Sequence, residues 1–116
     1  MKQSQALLSF AALSQDTRLA ILRLLVRAGP EGMAAGAVAE EVGVSPSNLS
    51  FHLKELERAG LVSARREARS ILYSADYGAL RGLIEFLTED CCAGRREICG
   101  PRPGAKARGK AKVIAC

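Results

Sequence analysis

Residues 44–61 read Val-Ser-Pro-Ser-Asn-Leu-Ser-Phe-His-Leu-Lys-Glu-Leu-Glu-Arg-Ala-Gly-Leu, and the stretch carries its own start and stop signals for a helix. Ser45 offers a hydroxyl to a free backbone N–H of the first turn, and Pro46 suits the first helical position, where no N–H is needed. Gly60 can take the left-handed conformation that closes a helix without a Cβ clash. At about 100° per residue, Leu49, Leu53 and Leu56 share one narrow arc, which is the buried side. The opposite side carries Ser47, Phe51, Lys54 and Arg58, flanked by Asn48 and Ser50. Small hydrogen-bonding groups in the first turns, with cations behind them, suit a helix whose N-terminal end meets base edges of DNA and whose later part meets phosphate. Phe51 has two readings: it touches thymine methyl groups in a major groove, or it packs against a neighbouring element. His52 lies beside the buried arc and reads as a hydrogen-bonded structural histidine rather than a base reader or a metal ligand.

Outward from that helix, the chain has the length of one domain with one hydrophobic core, 116 residues. An apolar fraction of 48% excludes wholesale disorder, and with 4% aromatic residues and no Trp the core must be aliphatic. The net charge of +5 looks like a nucleic-acid signal, but its distribution alters its meaning. Residues 1–99 hold twelve basic and twelve acidic side chains, and the excess comes entirely from Arg102, Lys106, Arg108, Lys110 and Lys112. Bulk charge therefore does not argue for DNA binding, and local arrangement has to. Met1-Lys2 and the apolar residues 6–13 superficially resemble a short secretion signal. That run contains Ser9, however, and leads into a charged amphipathic segment without a convincing cleavage site. Residues 19–26 are interrupted by Arg23 and too short to span a bilayer. The expectation is a soluble, cytoplasmic protein with no membrane partner.

In chain order, residues 3–13 form a first helix with Leu7, Phe10 and Ala11 near one face. Ser14-Gln15-Asp16-Thr17 is a helix-start cluster for a second helix reaching Ala28, where Gly29-Pro30 stops it. Apolar residues cover most of this helix, so it is expected to be central. A third, short helix over 34–42 stops at Gly43, and Leu49 follows ten residues after Ala39, which is helix-turn-helix spacing. An ordinary αα-hairpin is the plain alternative. Residues 61–66 and 70–75 are strand-like runs joined around Glu67-Ala68-Arg69, making a β-hairpin of the kind called a wing. Arg65, Arg66 and Arg69 near its tip are placed to reach phosphate or the minor groove, against the alternative of a solvated basic turn. Asp76 caps a last helix over 77–92, whose Leu80, Leu83, Ile84, Leu87 and Cys91 form an i, i+3, i+4, i+7, i+11 stripe. Since the winged helix already has a core, this helix is expected to pair with the first helix and a symmetry mate in a homodimer. The fold class is thus mostly α with a small β-hairpin, a winged helix-turn-helix over residues 1–92. Residues 93–116 are a cysteine-containing, basic and flexible tail.

Cys91, Cys92, Cys99 and Cys116 all lie at the C-terminal end, and none falls in the helix-turn-helix. A disulfide scaffold would spread its cysteines through the fold. As thiolates, Cys91 and Cys92 form a compact pair, and the turn at Ala93-Gly94 lets Cys99 fold back toward them as a soft-ligand site. Trivalent arsenic or antimony favours a three-sulfur pyramid, which these three supply. Zinc usually takes four ligands, which Cys116 would complete. Plain alternatives are that Cys91 is partly core and that Cys116 is an idle thiol.

Ala12-Leu13-Ser14, Thr17-Arg18-Leu19 with Ile21-Leu22, residues 50–56 (Ser-Phe-His-Leu-Lys-Glu-Leu) and Ala59-Gly60-Leu61-Val62 together closely resemble the ArsR/SmtB family of bacterial metalloregulatory repressors. The resemblance covers about residues 5–92. It implies a homodimeric winged helix that occupies a palindromic double-stranded operator and leaves it when an inducer binds. Many arsenic repressors of that family carry Cys-Val-Cys before the recognition helix, where this chain has Gly36-Ala37-Val38-Ala39-Glu40-Glu41-Val42. Cys91, Cys92 and Cys99 instead resemble the metal site of family members in which it has moved to the end of the last helix. The wing has Ala68 where the family often has Gly.

The sequence therefore points to an As(III)-responsive repressor. Close variants respond to methylated As(III), Sb(III), Zn(II) or thiol oxidation. A rival of another class is a constitutive DNA-binding module with incidental cysteines. No base–nucleophile arrangement, phosphate loop or paired-carboxylate site is present in the sequence, so an enzyme is the weakest reading.

Overall fold

The computed structural model describes residues 1–89. Five helices and three short strands follow in the order α1 (Gln3–Leu13), α2 (Asp16–Ala28), β1 (Met33–Ala34), α3 (Ala35–Val42), α4 (Pro46–Arg58), β2 (Val62–Glu67), β3 (Ser70–Ala75) and α5 (Tyr77–Thr88). The core gathers the apolar faces of α2, α3 and α4 under the base of the hairpin: Ile21, Leu22 and Leu25, Val38 and Ala39, then Leu49, Leu53 and Leu56. Leu61, Val62 and Ala75 close it from the sheet side. The three leucines that the periodicity of α4 assigned to the interior are the three that α4 buries.

Local chemistry explains the boundaries. Gln15 caps α2, its side-chain oxygen accepting from the Arg18 backbone N–H at 2.8 Å, with Asp16 in the first turn where the helix dipole favours negative charge. Gly43 ends α3 with φ 81°, and the Ala39 carbonyl accepts from both Gly43 N and Val44 N. A turn of three residues then delivers Pro46, with Ser45 Oγ accepting from Asn48 N at 3.2 Å. Asp76 caps α5 in the same manner, accepting from Ala79 N at 3.0 Å.

Three expectations need correction, and two others gain detail. The sheet has three strands, not two: Met33 and Ala34 pair antiparallel with Tyr73 and Leu72, giving the order β1-β3-β2. The helix expected over 34–42 accordingly starts at Ala35. The first helix buries Ala6, Ser9 and Ala12 and packs Leu13 on the core, while Leu7, Phe10 and Ala11 do share one face, which is exposed together with Leu8. The second helix is central, packing against α1, α3, α4 and β3, though Leu19 and Val26 stay at the surface. Finally, α5 ends at Thr88, because Glu89 has extended backbone with ψ 131°, four residues short of the expected limit. Cys91, and with it the last position of the apolar stripe, lies outside the described residues.

Gly32 shows how tightly β1 is led into the sheet. It has φ 82°, and a Cβ there would stand 2.7 Å from the Tyr73 carbonyl oxygen, a backbone atom that cannot swing aside. Gly32→Ala is expected to cost about 1–3 kcal/mol, from left-handed strain and displacement of β3. Urea unfolding measures this, and a midpoint equal to that of the natural chain would show that the approach relaxes freely.

Candidate DNA-binding surface

Because Leu49, Leu53 and Leu56 turn inward, the other side of α4 is left to solvent, and Ser47, Asn48, Ser50, Phe51 and Lys54 are all exposed. Phe51 is 57% exposed, so its side chain is presented outward rather than packed into the core. Its ring pairs with that of His52 in a T-shaped arrangement, with centroids 5.3 Å apart and planes at 63°. Such a contact steadies an aromatic ring without covering its outer face. His52 is half-buried, and its Nδ1 lies 3.1 Å from Arg18 Nη1 on α2, in keeping with the hydrogen-bonded role expected for it. A guanidinium only donates, so Nδ1 accepts and the ring hydrogen sits on Nε2. Arg58, at the far end of the helix, pairs with Glu55 at 3.3 Å. Among the described residues Lys54 makes no ion pair, which leaves it the free cation of the helix.

The wing sorts its arginines by the pleat. β2 and β3 pair from Val62↔Ala75 to Glu67↔Ser70, and alternate residues point to opposite faces. Val62 and Ala75 are buried toward the helices, which puts Ala64 with Tyr73, and Arg66 with Ile71, on that same face. Arg65 points the other way. Its Nη2 donates to the Glu31 carbonyl at 3.0 Å, and its Nε lies 3.6 Å from a Glu67 carboxylate oxygen. Arg65 therefore ties the wing to the loop before β1, while Arg66 and Arg69 are exposed with no ion pair among the described residues. The turn at Ala68-Arg69 is closed with Ala68 at φ 55°, so this alanine takes the left-handed conformation that a glycine would adopt at no steric cost.

Tyr73 lies on the face shared with Arg66, and burial, followed by the negative charge of Glu57, holds its phenol above the ordinary value. It is a neutral donor and adds no charge to that face. Sequence reasoning missed the contacts of Arg18 and Arg65, since their partners lie 34 positions away in each case. Among the described residues no group of three or more His, Cys, Asp or Glu could hold a metal ion. All four cysteines, including the expected metal set Cys91, Cys92 and Cys99, lie outside the described residues. No helix among the described residues is long and apolar enough to cross a membrane.

A two-helix turn with a capped, outward-facing second helix, followed at once by a hairpin, defines a winged helix-turn-helix protein. Comparison with known proteins narrows the class. A helix-turn-helix domain family model matches residues 13–64. The chain is 36% identical over 91 residues to the HTH-type transcriptional regulator YgaV of Escherichia coli, spanning 78% of this chain and 88% of YgaV. It is 42% identical over 79 residues to the nodulation protein NolR of Rhizobium meliloti, spanning 68% of this chain and 62% of NolR. Among solved structures, an ArsR-like transcriptional regulator from Rhodococcus matches with TM-score 0.69 and 29% identity over 82% of this chain and 87% of that one. A homodimeric winged helix-turn-helix DNA-binding domain from Mycobacterium bovis, a possible ArsR-family regulator, matches with TM-score 0.60 and 31% identity over 76% of this chain and 82% of that one. The chain belongs to the ArsR-like family of winged helix-turn-helix transcriptional regulators. YgaV and the Rhodococcus protein are transcriptional regulators, not enzymes.

Proposed function

We propose that this protein is a cytoplasmic repressor that binds palindromic double-stranded operator DNA as a homodimer and releases it when As(III) joins Cys91, Cys92 and Cys99. The observation that carries DNA binding is the outward side of α4: Ser47, Asn48 and Ser50 in its first turns, then Phe51 and Lys54, all of them exposed, with Lys54 in no ion pair among the described residues. α4 is 13 residues long, about 20 Å, and fits lengthwise in a major groove. Arg66 and Arg69 then serve as the wing's phosphate contacts, with Arg65 holding the wing in place for them. A homodimer is supported by the apolar surface left on the first and last helices: Leu7 is 58% exposed, Leu8 52%, Ile84 54% and Leu87 57%. The M. bovis domain that this chain resembles is itself homodimeric.

The inducer is read from the cysteines alone. Three thiols within nine residues supply the three-sulfur pyramid that As(III) prefers, directly after the helix assigned to the dimer contact. Drawing Cys99 onto Cys91 and Cys92 would reshape that end of the dimer and change the separation of the two recognition helices. Methylated As(III) and Sb(III) fit two or three of the same sulfurs, and Zn(II) fits if Cys116 joins. The test is retention of promoter-region DNA by reduced protein, titrated separately with arsenite and zinc. Arsenite should release the DNA and zinc should not, and Cys99→Ser should weaken the arsenite response at least tenfold, since two sulfurs cannot form the pyramid. Release by arsenite that is unchanged in Cys99→Ser would remove the three-sulfur scheme, and retention through every addition would remove the arsenic inducer altogether.

A further inference from the structure

α1 is tied to α4 at both of its ends. Near its start, Gln5 Nε2 donates to the Ala59 carbonyl at 2.8 Å, at the C-terminal cap of α4. Near its finish, the Ala12 carbonyl accepts from Arg18 Nε at 2.7 Å, and the same guanidinium reaches His52 Nδ1 on α4 at 3.1 Å. The surfaces between these bonds are small: Ala6, Ser9 and Ala12 are the residues α1 buries, and Ala59 lies opposite. Methyl groups interlock weakly and let one helix slide or turn on another, whereas hydrogen bonds fix a register. The link ends beside Phe51, whose ring lies against His52 with centroids 5.3 Å apart. α1 thus both exposes a large apolar face and is bonded to the helix presenting the proposed DNA-reading side chains.

We infer that Arg18 and His52 are positioning residues for operator recognition: their hydrogen bond, anchored on the Ala12 carbonyl, makes α1 and α4 one rigid unit, so that pairing of the first helices sets the distance between the two recognition helices. Neither residue touches DNA. The inference rests on the DNA-binding homodimer proposed above. Leu49, Leu53 and Leu56 remain packed on α2 and α3 without the link, so its loss frees the orientation of α4 more than it unfolds the domain.

The experiment uses the full chain and a set of palindromic duplexes from its promoter region, differing in half-site separation by single base pairs. Four variants enter: Arg18→Met, which keeps the aliphatic stem and removes the donors; His52→Leu, which removes the acceptor; the double variant; and His52→Asn, whose Oδ1 can accept where Nδ1 did. Each single removal should weaken binding at the preferred separation about tenfold, the size of one hydrogen bond to a charged group. It should also flatten the preference across the set, and the double variant should add little to either single one. His52→Asn should restore both affinity and preference. A uniform loss at every separation with the preference intact would overturn the inference, as would variants that bind like the natural chain. Natural protein that binds none of the duplexes would instead overturn the DNA-binding reading beneath it.

Discussion

Leu56→Ala is expected to lower the unfolding free energy by about 2–5 kcal/mol, the range for truncating a fully enclosed leucine. Leu56 is 0% exposed and sits where α4 meets Leu61 and the start of β2, so the neighbouring backbone has little freedom to collapse into the space left behind. Domains of this size hold only about 5–15 kcal/mol in total. The thermal midpoint should fall by about 8–40 °C, since each kcal/mol moves a domain of 60–100 residues by about 4–8 °C. Circular dichroism at 222 nm, followed with temperature, reads this directly. A fall below about 3 °C would mean that Leu56 is not the keystone its burial implies. Leu7 offers the contrast within the same chain, an equally large side chain with most of its surface in water.

The second large effect concerns charge at the reading surface. Lys54, Arg66 and Arg69 are exposed and unpaired among the described residues, on the reading helix and on the wing. If each neutralises one phosphate, the triple variant to Ala should reduce the slope of log affinity against log salt by about 2–3, at roughly 0.9 per contact. At moderate ionic strength the affinity should drop by two orders of magnitude or more, at about 1 kcal/mol or more per lost contact, and by similar factors on specific and unrelated DNA. The same substitution at Arg65 should leave the slope nearly unchanged, because its guanidinium is spent on Glu31 and Glu67. Fluorescence anisotropy with a labelled duplex at several salt concentrations separates the two. Equal slopes for the triple variant and the natural chain would place the phosphate contacts elsewhere.

How much of this was legible beforehand depended on whether the signal was local. α4 was, because a serine cap, a proline at the first position and three leucines at helical spacing all act within one segment. The hairpin was as well, with its turn placed around Glu67-Ala68-Arg69, though the left-handed Ala68 was not foreseen. β1 was not: two residues carry no periodicity, and Met33-Ala34 become a strand only because β3 offers an edge some forty positions later. Which side of α1 meets the core was not legible for a different reason. Gln3–Leu13 is apolar or small nearly all round, so its composition does not say which side meets the core, and packing selected Ala6, Ser9 and Ala12 because small residues allow the closest approach. The arginines of the wing looked equivalent as neighbours, and only the alternation of the strand gave Arg65 and Arg66 different tasks.

The small inward face of α1 also bears on how the protein responds to its own abundance. A helix that buries only Ala6, Ser9 and Ala12 draws little hydrophobic free energy from its own domain, while Leu7, Leu8 and Phe10 hold the larger share in reserve on the outside. When a second copy covers that reserve, mass action makes each molecule a stabilising ligand of the other. Newly made, sparse protein would then be looser at its first helix than protein that has accumulated. Gene dosage would act on the integrity of the fold as well as on operator occupancy, steepening the threshold at which repression sets in.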